Sequence, residues 1–170
     1  MSFGYLHLVM NHIPVIGIPV VLAFLGFGLW TRNTPAQRFS LLLLVGFALL
    51  IVPVYMTGEP AEEVVEHLPG VAESLIHAHE EAAEVSLIIT LVGGAMALVA
   101  LLFPQDERRR RLASIGTLVV ATIAFASLVY TASLGGKIRH TEFGSGADVL
   151  SSESLNGAEG KEKKNAEDDN

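Results

Sequence analysis

Six histidines in a chain without cysteine define the chemistry open to this protein. Thiolate metal sites, disulfides, Fe–S clusters and catalytic thiols are excluded, so metal binding and proton handling fall to imidazole and carboxylate. Three of the six histidines and eight of the eighteen acidic residues lie in one run, residues 57–90, which leads directly into a long apolar segment. Neutral imidazole ligates iron, copper and zinc, and in a dry helical bundle it is the usual axial ligand of b-type haem. Such a haem needs two opposed imidazoles from different helices, a slot between small residues, and cations near its propionates.

At 100° per residue, His77 and His79 are about 200° apart on one helix and cannot face the same way. His79 shares its face with Ala82, Ala83, Ser86, Thr90, Gly93, Gly94 and Ala97, a stripe of small residues that lets helices or a flat ring approach closely. His77 lies instead with Glu73, Glu80, Glu81 and Glu84, which reads as a hydrated acidic face. His7 and His12 are about 140° apart, so only one of them points squarely inward. His12 stacks above Ala23 and Gly26 and is the preferred inward ligand; His7, at the start of its segment, is a substitute. Lys137 and Arg139 are the candidate partners of propionates, and His140 is a further ligand candidate. These assignments make His12 and His79 the expected axial pair of a haem b.

A divalent-metal site without haem is the alternative use of the same residues. His77, Glu80, Glu81 and Glu84 share a helical face that could hold zinc, iron or manganese, together with His12 or His79. The Glu-x-x-His pattern of di-iron bundles is absent, and Glu84, closest to the hydrocarbon, is a weaker proton-relay candidate. The structural alternative needs no cofactor. Histidine is comfortable at a membrane interface, glutamates favour a helix N-terminus, and small residues serve helix packing; His67, alone on a short loop helix, is read this way. No Gly-rich phosphate loop, Ser–His–Asp arrangement or His-Glu-x-x-His motif is present, so hydrolase and kinase classes drop out.

The elements that must position these residues are apolar helices. The 170-residue chain is 51% apolar with mean hydropathy +0.48. Its apolar runs match the roughly 20 residues needed to cross a bilayer core. The spans fall at about residues 6–30, 39–56, 71–103 and 112–134, joined by short links at residues 31–38 and 104–111. Pro14 and Pro19 lie within the first and should bend it. A short amphipathic outer helix begins at Pro60 and breaks at Leu68-Pro69-Gly70, and Gly135-Gly136 reads as the stop of the fourth span. The expected fold is an all-α, four-transmembrane-helix bundle over residues 1–140, followed by a disordered polar tail, residues 141–170. The links carry Arg32, Arg38 and Arg108 to Arg111, which places them in the cytoplasm and both termini outside. In a bacterium this means a multi-pass inner-membrane protein with periplasmic termini, all six histidines and sixteen of the eighteen acidic residues lying on the outer face. The one basic run is too small for a nucleic-acid surface.

The opening His7-Leu-Val-Met-Asn-His12-Ile-Pro14 resembles the H-P-x-x-x-H-x-P start of an uncharacterised bacterial family of four-helix membrane proteins, with Leu8 in place of the first proline. That family has another histidine near the start of its third helix, a position matching His79 or His77. In layout these proteins are similar to four-helix cytochromes b, which hold haem between histidines of facing helices; the step from layout to function is analogy. The combined expectation is an electron-transfer protein or redox-complex subunit rather than a complete enzyme. It would work beside a membrane or periplasmic redox partner, with oligomers allowed. A cofactor-free accessory or assembly subunit, and a metal-binding sensor or transporter, are the competing classes.

Overall fold

A computed structural model describes residues 3–65, 71–102 and 106–139 of the chain. These form five helices: α1 Phe3–Trp30, α2 Thr34–Met56, α3 Gly58–Val65, α4 Glu73–Leu102 and α5 Glu107–Arg139, with no strand among the described residues. Four of them, all but α3, are long and apolar enough to cross a bilayer. Large apolar side chains such as Ile16, Phe27, Leu42, Leu49 and Leu112 cover the outside of the bundle. A water-soluble surface rarely tolerates such exposure, whereas lipid does.

The helices start and stop for local reasons. Asn33 caps α2 by accepting from the Ala36 N–H at 3.0 Å, and Pro35 occupies the first turn. The link expected over residues 31–38 is therefore only three residues long, with Arg32 turned to a φ of 55°. Buried Gln37 donates to the Gly28 carbonyl at 2.7 Å, and a Cβ on Gly28 would meet Gln37, which ties the two helices at their turn. The short helix α3 starts at Gly58 rather than Pro60, one residue after α2 ends. The second link is shorter too, since α5 begins at Glu107 and Arg110 is a buried helical residue whose Nη2 donates to Thr34 Oγ1 at 3.3 Å. The predicted helix stop at Gly135-Gly136 is a misreading, because α5 runs through both glycines to Arg139.

Packing arranges the four long helices in a ring. Helix α1 lies against α2 and α5, and α4 lies against the same two, so α1 and α4 stand on one diagonal. In lipid, burying an apolar side chain between helices gains little, and close approach with polar contacts carries the association. The α4–α5 seam follows this rule. Ser86, Thr90, Gly93, Gly94, Ala97 and Ala100 are buried on α4, and Ser114, Thr117, Ala121 and Ala124 are buried on α5. A hydroxyl knot holds it, with Ser86 Oγ 2.6 Å from Ser127 Oγ and 2.9 Å from Thr131 Oγ1. On its other side α4 approaches α2 so closely that a Cβ on Gly94 would collide with the Ala48 methyl. Neighbouring helices thus occupy the stripe of small residues, so no flat ring lies along it.

Candidate functional site

Rotation of each helix about its axis decides which histidine faces inward. The buried side of α1 is set by Pro14, Ile18, Val21 and Leu25, all fully buried. His7 precedes Pro14 by one heptad and falls on that stripe, whereas His12 precedes it by two residues, about 200° away. His7 accordingly turns inward and is half-buried. His12, expected to face His79, is exposed on the outside of α1, with Nδ1 donating to the Leu8 carbonyl of its own helix at 2.6 Å. The same reasoning places His79 on the buried stripe of α4, one heptad before Ser86 and two before Gly93.

His7 and His79 lie at the same end of the bundle. The Nδ1 of His7 lies 3.1 Å from the Val54 carbonyl and 3.2 Å from Thr57 Oγ1, which ties the start of α1 to the end of α2. The Nδ1 of His79 lies 2.9 Å from the Thr131 carbonyl, which ties the start of α4 to the end of α5. A carbonyl only accepts, so in each ring the Nδ1 carries the proton and Nε2 keeps its lone pair. Neither Nε2 has a hydrogen-bond partner among the described residues. Because α1 and α4 are diagonal, the two imidazoles stand on helices that share no main seam.

Gly135 makes room for the His79 ring, while Gly58 borders His7 at an ordinary contact distance. A Cβ on Gly135 would lie 3.0 Å from His79 Cε1, and one on Gly58 would lie 3.7 Å from His7 Cε1. Gly135 therefore serves as the floor under the His79 imidazole, and α5 continues because a transmembrane helix must satisfy its own backbone.

The acidic face is a different place. His77 is 65% exposed, with Nε2 3.8 Å from Glu73 and Nδ1 3.4 Å from Glu80. Glu80, Glu81 and Glu84 are exposed along the same side of α4. Among the described residues no three metal-ligating side chains gather, so His77, Glu80, Glu81 and Glu84 do not converge as an expected divalent-metal site would. Lys137 is exposed two residues beyond Gly135. Arg139 ends α5. His140, His67, the break at residues 68–70 and the polar tail lie outside the described residues.

Inward-facing His7 is the residue that spacing arguments on the segment alone passed over. Its heptad register with Pro14 and Val21 gains meaning only once those two residues are seen to be buried. No protein-family model, no curated protein and no solved structure matches this chain.

Proposed function

We infer that the chain is a redox subunit of a membrane complex, binding a b-type haem through His7 and His79. The observation that carries this is the matched pair of imidazoles, each held through Nδ1–H on a backbone carbonyl with its Nε2 lone pair open. Ligand histidines are oriented in this way, the outer hydrogen bond fixing tautomer and ring direction. A bare transition-metal ion asks a protein for three or four ligands, while a haem iron asks for two. Among the described residues no group of three ligating side chains forms, while His7 and His79 each keep an Nε2 lone pair. The residues therefore fit a haem better than an exchangeable ion.

When bound, the haem supplies a one-electron couple whose potential depends on its axial ligands and on burial. The protein's part is to hold two lone pairs across a diagonal, with Lys137 and Arg139 near the end of α5 for the propionates. With the arginines of the opposite end in the cytoplasm, the His7–His79 end and both termini face the periplasm of a bacterium. A cofactor at that end exchanges electrons with a periplasmic or membrane-bound partner on the same side.

A second reading draws on the same contacts. Each ring already ties two helices together, and a cofactor-free accessory subunit needs no more than that. An absorption spectrum of detergent-purified protein supplied with haem, oxidised and then reduced with dithionite, decides between them. Sharp reduced α and Soret bands, lost in both His7→Ala and His79→Ala, support the haem site. A colourless protein that takes up no haem, or bands that survive both substitutions, would sink it. Stoichiometric zinc, iron or manganese that falls in Glu80→Ala would point to the metal-binding class instead.

A further inference from the structure

The end of the bundle opposite the histidines carries most of the chain's positive charge. Residues 31–38 and 103–111 hold six of the eleven basic residues, Arg32, Arg38 and Arg108 to Arg111, against two carboxylates, Asp106 and Glu107. One contact puts both links at the same end: Arg110 Nη2 lies 3.3 Å from Thr34 Oγ1, which brings the starts of α2 and α5 together. Arg109 pairs with Asp106 at 3.0 Å, and the same carboxylate caps α5 by accepting from the Arg109 N–H at 3.0 Å. Arg32, Arg38, Arg108 and Arg111 are exposed and have no hydrogen bond or ion pair among the described residues.

The fold itself uses little of this charge. A helix N-terminus favours anions, so four successive arginines in the first turns of α5 oppose its dipole, and of the four only Arg110 is buried. Spacing sets where the others stand. Arg108 and Arg111 share one face of α5, and that face continues through Leu112, Ile115 and Val119, all exposed. On α2, Arg38 stands beside Phe39 and one turn before Leu42, again all exposed. These apolar residues cover the outside of helices long enough to span a bilayer, so the guanidinium groups form a rim where acyl chains give way to headgroups. Trp30, 86% exposed at the end of α1, marks the same level, as an interfacial tryptophan does.

A charged side chain at that depth takes a polar partner, and the long arginine stem lets its head reach toward the membrane surface. Phosphate oxygens match a guanidinium in charge and in paired hydrogen bonds. A zwitterionic lipid brings an ammonium with its phosphate and leaves the excess charge standing; a lipid of net negative charge neutralises it.

We propose that this rim binds anionic phospholipids of the leaflet at that end, their phosphates seated against Arg108 and Arg111 on α5 and against Arg32 and Arg38 around the α1–α2 turn. The surface is independent of any cofactor at the histidine end.

Trp30 is the single tryptophan of the chain and so reports on the rim directly. The full chain in phosphatidylcholine vesicles receives lipid brominated on shallow acyl carbons, either phosphatidylglycerol or phosphatidylcholine at equal mole fraction. Quenching of Trp30 fluorescence then gives their relative association. Phosphatidylglycerol should be preferred about fivefold or more, the weight of one basic residue near an anionic membrane surface. Raising the salt to about 1 M, where the screening length falls to about 3 Å, should reduce the preference. Arg32→Gln, Arg38→Gln, Arg108→Gln and Arg111→Gln should each lower it, and the fourfold variant should bring it to parity with its helicity by circular dichroism intact. If the fourfold variant loses its helices, the single variants and the salt dependence decide. Equal quenching by the two lipids in wild type would overturn the proposal and leave the rim to an acidic soluble protein. A preference unchanged in every arginine variant would overturn it too. Loss of the preference to inorganic phosphate at matched ionic strength would assign the arginines to a soluble anion and overturn it as well.

Discussion

Replacing Gly135 by alanine separates ligand orientation from fold stability. The added methyl would sit 3.0 Å from His79 Cε1 and 3.4 Å from its Nδ1. Ordinary carbon contacts are about 3.5–4.0 Å, so the ring must retreat by about half an ångström. The Nδ1–Thr131 distance is 2.9 Å, and that retreat carries it past the ~3.2 Å limit of a good N–H···O bond. Losing the bond costs about 0.5–1.5 kcal/mol, while alanine in place of a helical glycine returns about 0.8–1.0 kcal/mol. The two nearly cancel, so thermal unfolding followed by circular dichroism should shift by only a few degrees. If the proposed haem site is right, haem affinity should not cancel, because loss of an orienting outer hydrogen bond weakens a site by about 10–100-fold. A Soret titration of the apoprotein in detergent measures that affinity. Unchanged affinity in Gly135→Ala, alongside abolished binding in His79→Ala, would refute the idea that the Thr131 carbonyl and the glycine floor aim the ring. A loss of more than about 10 °C in melting temperature would show that Gly135 matters for packing instead.

Further tests address the seams and the controls. Gly94→Ala should destabilise the bundle by about 1–3 kcal/mol through overpacking against Ala48. Gly93→Ala, whose new methyl meets only Val120 at an ordinary 3.6 Å, should cost far less in the same melting experiment. Thr131→Val removes a hydroxyl from the knot with Ser86 but leaves the carbonyl that holds His79. It should cost about 0.6–1.7 kcal/mol of stability, typical of interhelical hydrogen bonds in membranes, and leave the Soret titration unchanged. His77→Ala should alter neither haem affinity nor melting measurably, because its pairs with Glu73 and Glu80 are solvent-exposed.

The sequence alone determined that the protein is helical and built of four segments able to cross a bilayer, because length and apolar content answer that question without reference to neighbours. It also separated His77 from His79, since two residues two apart on a helix cannot share a face. Helix starts were legible only where the capping residue was weighed: Asn33 with Pro35 places the start of α2, and reading the link by its arginines moved that start too far. Gly135 shows the same limit, for a glycine's role depends on what lies against it, and a histidine more than fifty positions away is invisible to local propensity. The choice between His7 and His12 belonged to tertiary structure. Both are polar residues on an almost uniformly apolar helix, so no local pattern of apolar and polar residues fixes its rotation. Contact with α2 and α5 does, by burying Pro14, Ile18, Val21 and Leu25, and His7 goes in while His12 goes out.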